Sequence, residues 1–451
     1  MKVAKFGGSS LSSASQIKKV ANIIKNDPNI KAVVVSAPGK RDDSDVKVTD
    51  LLIALHANQV TGLDVEEAIE SILHRYRLII EELNLPEALL THFAQTLRSY
   101  LNDIPESDRL LDALKSCGED FNAQLVSDYL TQIGLNSRYL SPKDAGIRVT
   151  NEPSNAQLLP ESYVCLARLK GCEEVLVIPG FFGYSETGHI VTFPRGGSDI
   201  TGAIVARGLS VDVYENFTDQ SYIFSAHPGF INRPHGIKEI TYREMRELAY
   251  SGFGIFHDEA LEPLYQVQIP VMIRNTNHPE IEGTKIVSER HDVNDWPVIG
   301  ISSDEGFTSI TMRQYLLNRE VGYTRRLLQI FEDHNISIEH IPSGIDTISV
   351  IIRSHRLQKG ELEEIIQEIQ DILSPEWIQV EENLAMMVIV GEGMRDVTGL
   401  ANKATAALAE SNINIRMINQ GASEISMIFA IAMSDKQRAL ESMYAKYFEE
   451  A

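Results

Sequence analysis

The tail of the chain carries a copy of itself: residues 335–351 align with residues 412–428 without a gap, at an offset of 77. Asn335/Asn412, Ile336/Ile413, Ile338/Ile415, Ile341/Ile418, Gly344/Gly421, Ile348/Ile425, Ser349/Ser426 and Ile351/Ile428 are identical, and Gly322/Gly399 keep the same offset upstream. A duplicated segment must meet the same packing demands twice, so the repeat constrains this part of the chain to two like modules. Each copy reads as strand, glycine-containing loop, helix, Asn-Ile-x-Ile strand, glycine turn and a further alternating strand. Two copies are too few for a solenoid.

This βαββ order resembles the ACT domain, a small ferredoxin-like α+β sensor module. A duplicated module that only dimerises is the other reading of the same pattern. The repeats are expected at 297–375 and 376–451, behind a polar, aperiodic linker from Ser288 to Trp296.

Residues 1–288 read differently. Met1 to Phe6 is strand-like, Ile17, Val20, Ala21 and Ile24 recur at helical spacing, and Ala32 to Val35 is a short apolar run. Further apolar strands at Val175–Ile178 and Val211–Tyr214, with helical stretches between, favour a mostly parallel sheet covered by helices on both faces. A chain of 451 residues, 43% hydrophobic and 23% charged, suits about two to four ordinary globular domains.

Sixty-three acidic against 41 basic residues leave a net charge of -22, which argues against a broad nucleic-acid-binding face. Cys117, Cys165 and Cys172 share no metal-like spacing and offer no disulfide framework, which suits a reducing cytoplasm. The N-terminus lacks a signal-peptide pattern, and no run of about 18 apolar residues suggests a membrane span. The twelve histidines form no ligand array, and no protein-held metal is expected.

Two loops suit anions. Lys5-Phe6-Gly7-Gly8-Ser9 sets a cation and two glycines where a strand turns into a helix, so backbone N–H groups can approach phosphate oxygens. It is not a P-loop, because the lysine precedes the glycines; taken alone, a plain strand-turn-helix explains it better. Pro194-Arg195-Gly196-Gly197-Ser198-Asp199 precedes a helical stretch from Ala203 to Leu209 and adds the planar fork of an arginine, suited to a carboxylate.

Together these loops resemble those of the aspartate kinases. Ser36-Ala37-Pro38-Gly39, Val48-Thr49-Asp50-Leu51-Leu52, Ser116-Cys117-Gly118-Glu119, Pro179-Gly180-Phe181-Phe182-Gly183, Asn216-Phe217-Thr218-Asp219 and Ile273-Arg274-Asn275-Thr276 extend the likeness over essentially the whole chain. It is similar to the monofunctional, lysine-sensitive members in their Gram-positive variant. The resemblance implies an amino-acid-kinase catalytic domain over 1–288, the two ACT domains, and transfer of the ATP γ-phosphate to the β-carboxylate of L-aspartate, with Mg2+ brought by the nucleotide. It implies that Arg195 holds the α-carboxylate and Glu119 the ammonium, with Thr49 and Ser198 hydrogen-bonding the substrate. Lys5 and the Gly7 and Gly8 amides would stabilise the transferring phosphoryl group, with Asp199 orienting Lys5. Ser9, Gly197, Thr218, Asp219, Phe224 and Arg274 would complete the nucleotide site. Without that resemblance, Glu119 reads more readily as an acid favoured near a helix start.

The nucleotide half departs from the family pattern. Where many relatives carry tyrosine, aspartate and arginine, this chain has Phe224, His227 and Gly229, and a phosphate-contacting lysine is replaced by Gly254. Each lost charge-assisted hydrogen bond is worth about 1.5–3 kcal/mol, and Arg274 is the expected compensating cation.

By position in related ACT pairs, an effector would lie against Leu317, Gly322, Tyr323, Glu339 and Ser343 of one module and Asn412, Asn414 and Ile415 of a partner's, with Glu339 pairing an ammonium. Lysine is the first expected effector and lysine with threonine the second, acting on a homodimer formed through the ACT domains or on a tetramer. A non-catalytic amino-acid sensor and another acyl-phosphate-forming amino-acid kinase are the alternative functions.

Overall fold

The computed structural model describes residues 1–194, 196–252, 258–421 and 423–449. Arg195 and Gly254 therefore lie outside the described residues. The chain divides into two compact units, one made of Met1–Ile223, Gly236–Arg246 and Gly254–Arg290, the other of Phe224–His235, Glu247–Phe253 and His291–Ala451.

The first unit is built on strands β1 (Lys2–Phe6), β2 (Ile30–Val35), β3 (Ser137–Tyr139), β4 (Val175–Pro179), β5 (Val213–Thr218), β6 (Glu239–Thr241), β7 (Val271–Asn275) and β8 (Thr284–Val287), in the order β6-β8-β7-β5-β1-β2-β4-β3. The six strands from β7 to β3 are parallel, and β8, with β6 beside it, runs against them. Ala32, Val33, Val34 and Val35 have no exposed surface because β2 lies in the sheet's interior with helices over both faces.

One face is covered by α1 (Ala14–Asn26), α2 (Val48–Thr61), α3 (Glu66–Leu83), α4 (Ala88–Asp103) and α5 (Ser107–Gln132), which share one core with Ala4, Phe6, Val33 and Val35. Ser13 caps α1 by accepting the Gln16 N–H, and Ile17, Val20, Ala21 and Ile24 are all buried, so the helical spacing seen in the sequence is the packed stripe. Phe93 stacks on Phe121 at 4.2 Å and Tyr76 meets Phe121 edge-on at 5.8 Å, which ties α3 and α4 to α5. The opposite face carries α6 (Gly197–Leu209). This helix starts earlier than Ala203, since Gly196 takes the left-handed conformation at its N-cap and the Gly-Ser-Asp run forms its first turn. Ser210, at φ +49, ends it, so β5 begins at Val213 rather than Val211.

The second unit holds a six-stranded sheet of β9 (Gly300–Arg313), β10 (Ile338–His340), β11 (Thr347–Arg353), β12 (Trp377–Val390), β13 (Met417–Gln420) and β14 (Ser426–Ala432), in the order β10-β11-β9-β12-β14-β13. The offset of 77 reappears in three dimensions: β9 and β12 are equivalent 14-residue strands that pair antiparallel at the centre. Helices α7 (Tyr242–Tyr250), α8 (Tyr323–Asp333), α9 (Glu361–Leu373) and α10 (Leu400–Glu410) follow α6 in chain order, and α8 and α10 are likewise equivalent. Gly322 and Gly399 open α8 and α10 at φ +84 and +88, and Asn335 and Asn412 follow them at +56 and +53. These are the positions where the repeat demands left-handed backbone, which explains why glycine and asparagine recur there.

Ser288 to Trp296 is irregular, as a linker should be, but it is anchored. Arg290 is buried and forms a salt bridge with the equally buried Glu244 at 2.8 Å, and Trp296 stacks on His235 at 4.6 Å. Phe224–His235 belongs to the second unit: Ala226 and Ile231 join the core of the second repeat, Ile301 N–H donates to Ser225 O at 2.7 Å, and the Tyr444 hydroxyl accepts from His235 N–H at 2.8 Å.

Candidate active site

At the end of β1 the side chain of Lys5, only 10% exposed, crosses to the first turn of α6 and places Nζ 2.6 Å from Asp199 Oδ1. Asn216 on the neighbouring β5 donates to the same oxygen at 2.8 Å. The carboxylate thus sits at a helix start, where the dipole favours it, and is held by two strands' side chains. Beyond Lys5 the chain turns through Gly7 and Gly8. Gly39 N–H donates to Gly8 O at 2.9 Å, and a Cβ on Gly39 would lie 2.7 Å from the Gly8 carbonyl carbon, so both loops must be glycine to pass this closely. The Gly7 amide already donates to Phe217 O at 3.2 Å. Ser9 begins the short helical turn that follows.

Glu119 comes from the middle of α5. Tyr76 Oη donates to Gly118 O at 2.8 Å, Asn122 Nδ2 donates to Ser36 O at 2.6 Å, and a Cβ on Gly118 would meet Ala37 Cβ at 2.8 Å, so the helix lies hard against the Ser36–Gly39 segment. The Glu119 carboxyl is 6% exposed with Oε2 unpartnered. Burial pushes it up to about 8, against which an Ala37 backbone hydrogen bond and the charges of Lys5 and Lys115 pull it down. Ser198 is buried beside Gly180, where a Cβ would fall 2.6 Å from its hydroxyl. Thr49 stands half-buried in the first turn of α2, whose Val48 N–H donates to Pro38 O at 3.2 Å. Lys5, Gly8, Asp199, Glu119, Ser198 and Thr49 are thus carried by loops and helix turns that pack on one another around the ends of β1, β2 and β4.

Arg274 aligns with Phe6 and Phe217 on the α1 face of the sheet, not with Lys5 and Asn216. It lies over the Phe217 ring at 5.5 Å and donates to Glu215 Oε1 at 3.2 Å and Pro279 O at 2.7 Å. Strand alternation therefore sets it on the sheet face opposite Lys5. Phe224 belongs to the second unit. Thr218 closes β5 and donates to Asp219 Oδ1 at 3.2 Å, while Asn275 holds Asp219 O at 3.0 Å.

In the second unit Leu317 and Tyr323 are core residues of the first repeat, with the Tyr323 hydroxyl unpartnered, and Gly322 caps α8 between them. Glu339 pairs with Arg353 at 3.2 Å and accepts a hydrogen bond from Tyr250. Ser343 lines a groove with Glu381 and Arg416. Asn412 and Asn414 are exposed and Ile415 half-buried, beside β13 at one edge of the sheet, whereas Glu339 is on β10 at the other. One chain does not bring the two halves together.

The sequence reading missed Arg75, which donates to Gly39 O at 2.9 Å and Val46 O at 2.6 Å and pairs with Asp45 at 2.9 Å, bracing the loop behind Gly8. Its signal was an arginine on the apolar face of α3, one turn after Ile72 and one before Ile79. Asp112 and Lys115, two turns and one turn ahead of Glu119 on α5, were missed as well.

Residues 1–275 match the amino acid kinase family, and residues 387–447 match an ACT domain. Aspartokinase 3 of Bacillus subtilis (strain 168) is 47% identical over 449 residues, 99% of either chain. The chain is a member of the aspartokinase family. Among solved aspartokinases, the aspartate kinase of Clostridium acetobutylicum superposes with a TM-score of 0.88 at 36% identity, covering 99% of this chain and 100% of the other. Escherichia coli aspartokinase III, solved in complex with aspartate and ADP, shares the fold with a TM-score of 0.79 at 22% identity, covering 99% and 100%. Among the described residues no helix is long and apolar enough to cross a membrane.

Proposed function

We propose that this aspartokinase transfers the γ-phosphate of ATP to the β-carboxylate of L-aspartate, giving 4-phospho-L-aspartate, the first step toward lysine, threonine and methionine. The observation that carries the reading is the pairing of Lys5 with Asp199 next to a buried Glu119 with an oxygen left over. The substrate carboxylate is already ionised at neutral pH, so the protein needs no nucleophile of its own. Lys5 and the Gly8 amide stabilise charge on the transferring group, Asp199 and Asn216 hold Lys5 in place, and Glu119 takes the ammonium while Ser198, Thr49 and Arg195 fix the rest of the amino acid. Because Asp199 is already committed to Lys5 and Asn216, the donor set suits a Mg2+ carried mainly by the phosphates, where it supplies charge neutralisation. Unpaired Cys117, Cys165 and Cys172 support a reducing, cytoplasmic setting.

Purified protein given aspartate, Mg·ATP and hydroxylamine should form aspartyl hydroxamate, and should not do so with glutamate or N-acetylglutamate. A complete lack of product would sink the reading. The non-catalytic sensor keeps one observation in its favour, the seating of the unusual Phe224–Gly229 segment in the second unit; effector binding without Mg·ATP binding in calorimetry would select it.

For regulation, lysine is the first effector to test and lysine with threonine the second. The separation of Glu339 from Asn412 and Asn414 to opposite sheet edges supports a site completed by a second copy, hence a homodimer through the ACT domains.

A further inference from the structure

The helix that carries Glu119 bears two more polar groups that phosphoryl transfer does not use. Asp112 has no exposed surface, and both its oxygens are filled. Oδ2 accepts from the backbone N–H groups of Ser154 at 2.7 Å and Thr192 at 3.1 Å, and Oδ1 from the hydroxyls of Ser154 at 2.6 Å and Thr192 at 2.7 Å. One turn on, Lys115 sets Nζ 3.1 Å from Asp112 Oδ1 and donates to each of the same two hydroxyls at 2.9 Å. The directions close: each hydroxyl gives its proton to Asp112 and receives one from Lys115.

A tie between α5 and the 154 and 192 segments would need only Asp112, whose four hydrogen bonds already make it. The ammonium, whose side chain is only 12% exposed, neutralises that buried carboxylate. It lies 5.6 Å from the centroid of the Phe181 ring. Phe181 is held at φ +77 by its N–H bond to the Thr201 hydroxyl at 3.0 Å, and its ring packs so close to Gly197 that a Cβ there would fall 2.1 Å from it. Through that ring Lys115 reaches the turn of α6 that presents Ser198 and Asp199. On its own helix it stands four residues before Glu119, on the same face.

We propose that Lys115, locked by Asp112, is a positioning residue of the amino-acid pocket, bracing Phe181 against the start of α6 and setting a fixed positive charge one turn from Glu119. The proposal rests on the reading that Glu119 and Ser198 hold the amino-acid substrate. Among the described groups that act on Glu119, the cations are Lys5 from β1 and Lys115 from its own helix. Tyr76 from α3 and the adjacent Cys117 also face it, and burial pushes both well up, so they stay neutral. Without Lys115 the buried Asp112 carboxylate would stand uncompensated two turns from Glu119.

The test is the hydroxamate assay on the full chain with Lys115→Gln, which removes the charge and keeps a donor, and Lys115→Arg, which keeps the charge. K115Q should raise KM for aspartate about tenfold while KM for ATP stays within about twofold, and should move the acidic limb of kcat/KM for aspartate up by about one pH unit. K115R should return that limb to its wild-type position, and in a Glu119→Gln background K115Q should leave it unmoved. An unchanged aspartate KM and limb in K115Q would overturn the proposal, even with a lowered Tm, because a brace alone predicts that pattern. Should K115Q not fold, K115R decides: an aspartate KM raised by the altered geometry with the limb in place supports the role, and a shifted limb overturns it. A wild-type protein inactive on aspartate overturns the functional reading, and this proposal falls with it.

Discussion

A carboxyl buried with an oxygen unpartnered, as Glu119 is, holds its proton until a cation arrives. An aspartate ammonium would supply one, so binding near pH 7 should release a fraction of a proton from wild type and none from E119Q, read by calorimetry in buffers of different ionisation enthalpy. The same group sets a sign for stability. Its folded value of about 8 exceeds its ordinary value of 4.5, so between those limits the unfolded chain holds fewer protons at this site and the Glu119 contribution falls as pH rises. E119Q should therefore gain Tm relative to wild type between pH 5.5 and 8 when no aspartate is present. Lys5→Met and Asp199→Asn act on the charge of the transferring group instead, and should lower kcat by roughly 10²–10³ with a much smaller change in aspartate KM. Lys5, Asp199 and Glu119 were legible as residue types in sequence. That Arg274 faces the other side of the sheet, and that Gly7 donates to Phe217, depends on strand alternation and on which strand lies next door.

At the level of elements, the site is made by close approaches between segments distant in sequence. Gly8 and Gly39 touch backbone to backbone, and Gly118, Gly180 and Gly197 each sit where a Cβ would strike a neighbouring side chain or helix start. Gly39→Ala should cost about 1–3 kcal/mol by overpacking, measured in urea, and activity should fall further than stability because the Gly8 amide moves with the loop. The glycine motifs were visible in the sequence as anion-friendly loops, yet most of these glycines answer to steric contacts with other segments. Helix α6 shows the same limit: its apolar stretch marked Ala203 to Leu209, while its true start depended on Gly196 turning left-handed. Arg75 and the Asp112–Lys115 pair looked like ordinary polar positions of amphipathic helices until their partners came into place.

Over the whole molecule, the fully buried Arg290–Glu244 pair closes the first unit from a segment that reads as a solvated linker. Arg290→Met leaves Glu244 buried without its guanidinium and should cost about 3–5 kcal/mol, seen as a lowered Tm, while E244M with R290M together should cost less. If effector binding needs two copies, dilution to the monomer, followed by sedimentation, should abolish lysine binding; retention of binding by monomer would place the effector elsewhere. What the sequence by itself determined is what periodicity and local chemistry encode: the parallel α/β unit, the duplicated βαββ modules at an offset of 77 with their left-handed Gly and Asn positions, and the Lys-Phe-Gly-Gly-Ser and Arg-Gly-Gly-Ser-Asp loops. Only the tertiary structure decided that the two repeats share one sheet, that Phe224–His235 packs into the second unit, that Arg274 turns from Lys5, and that Asp112 and Lys115 stand behind Glu119. Those outcomes depend on contacts between residues far apart in the chain, and no local pattern carries the identity of a distant partner.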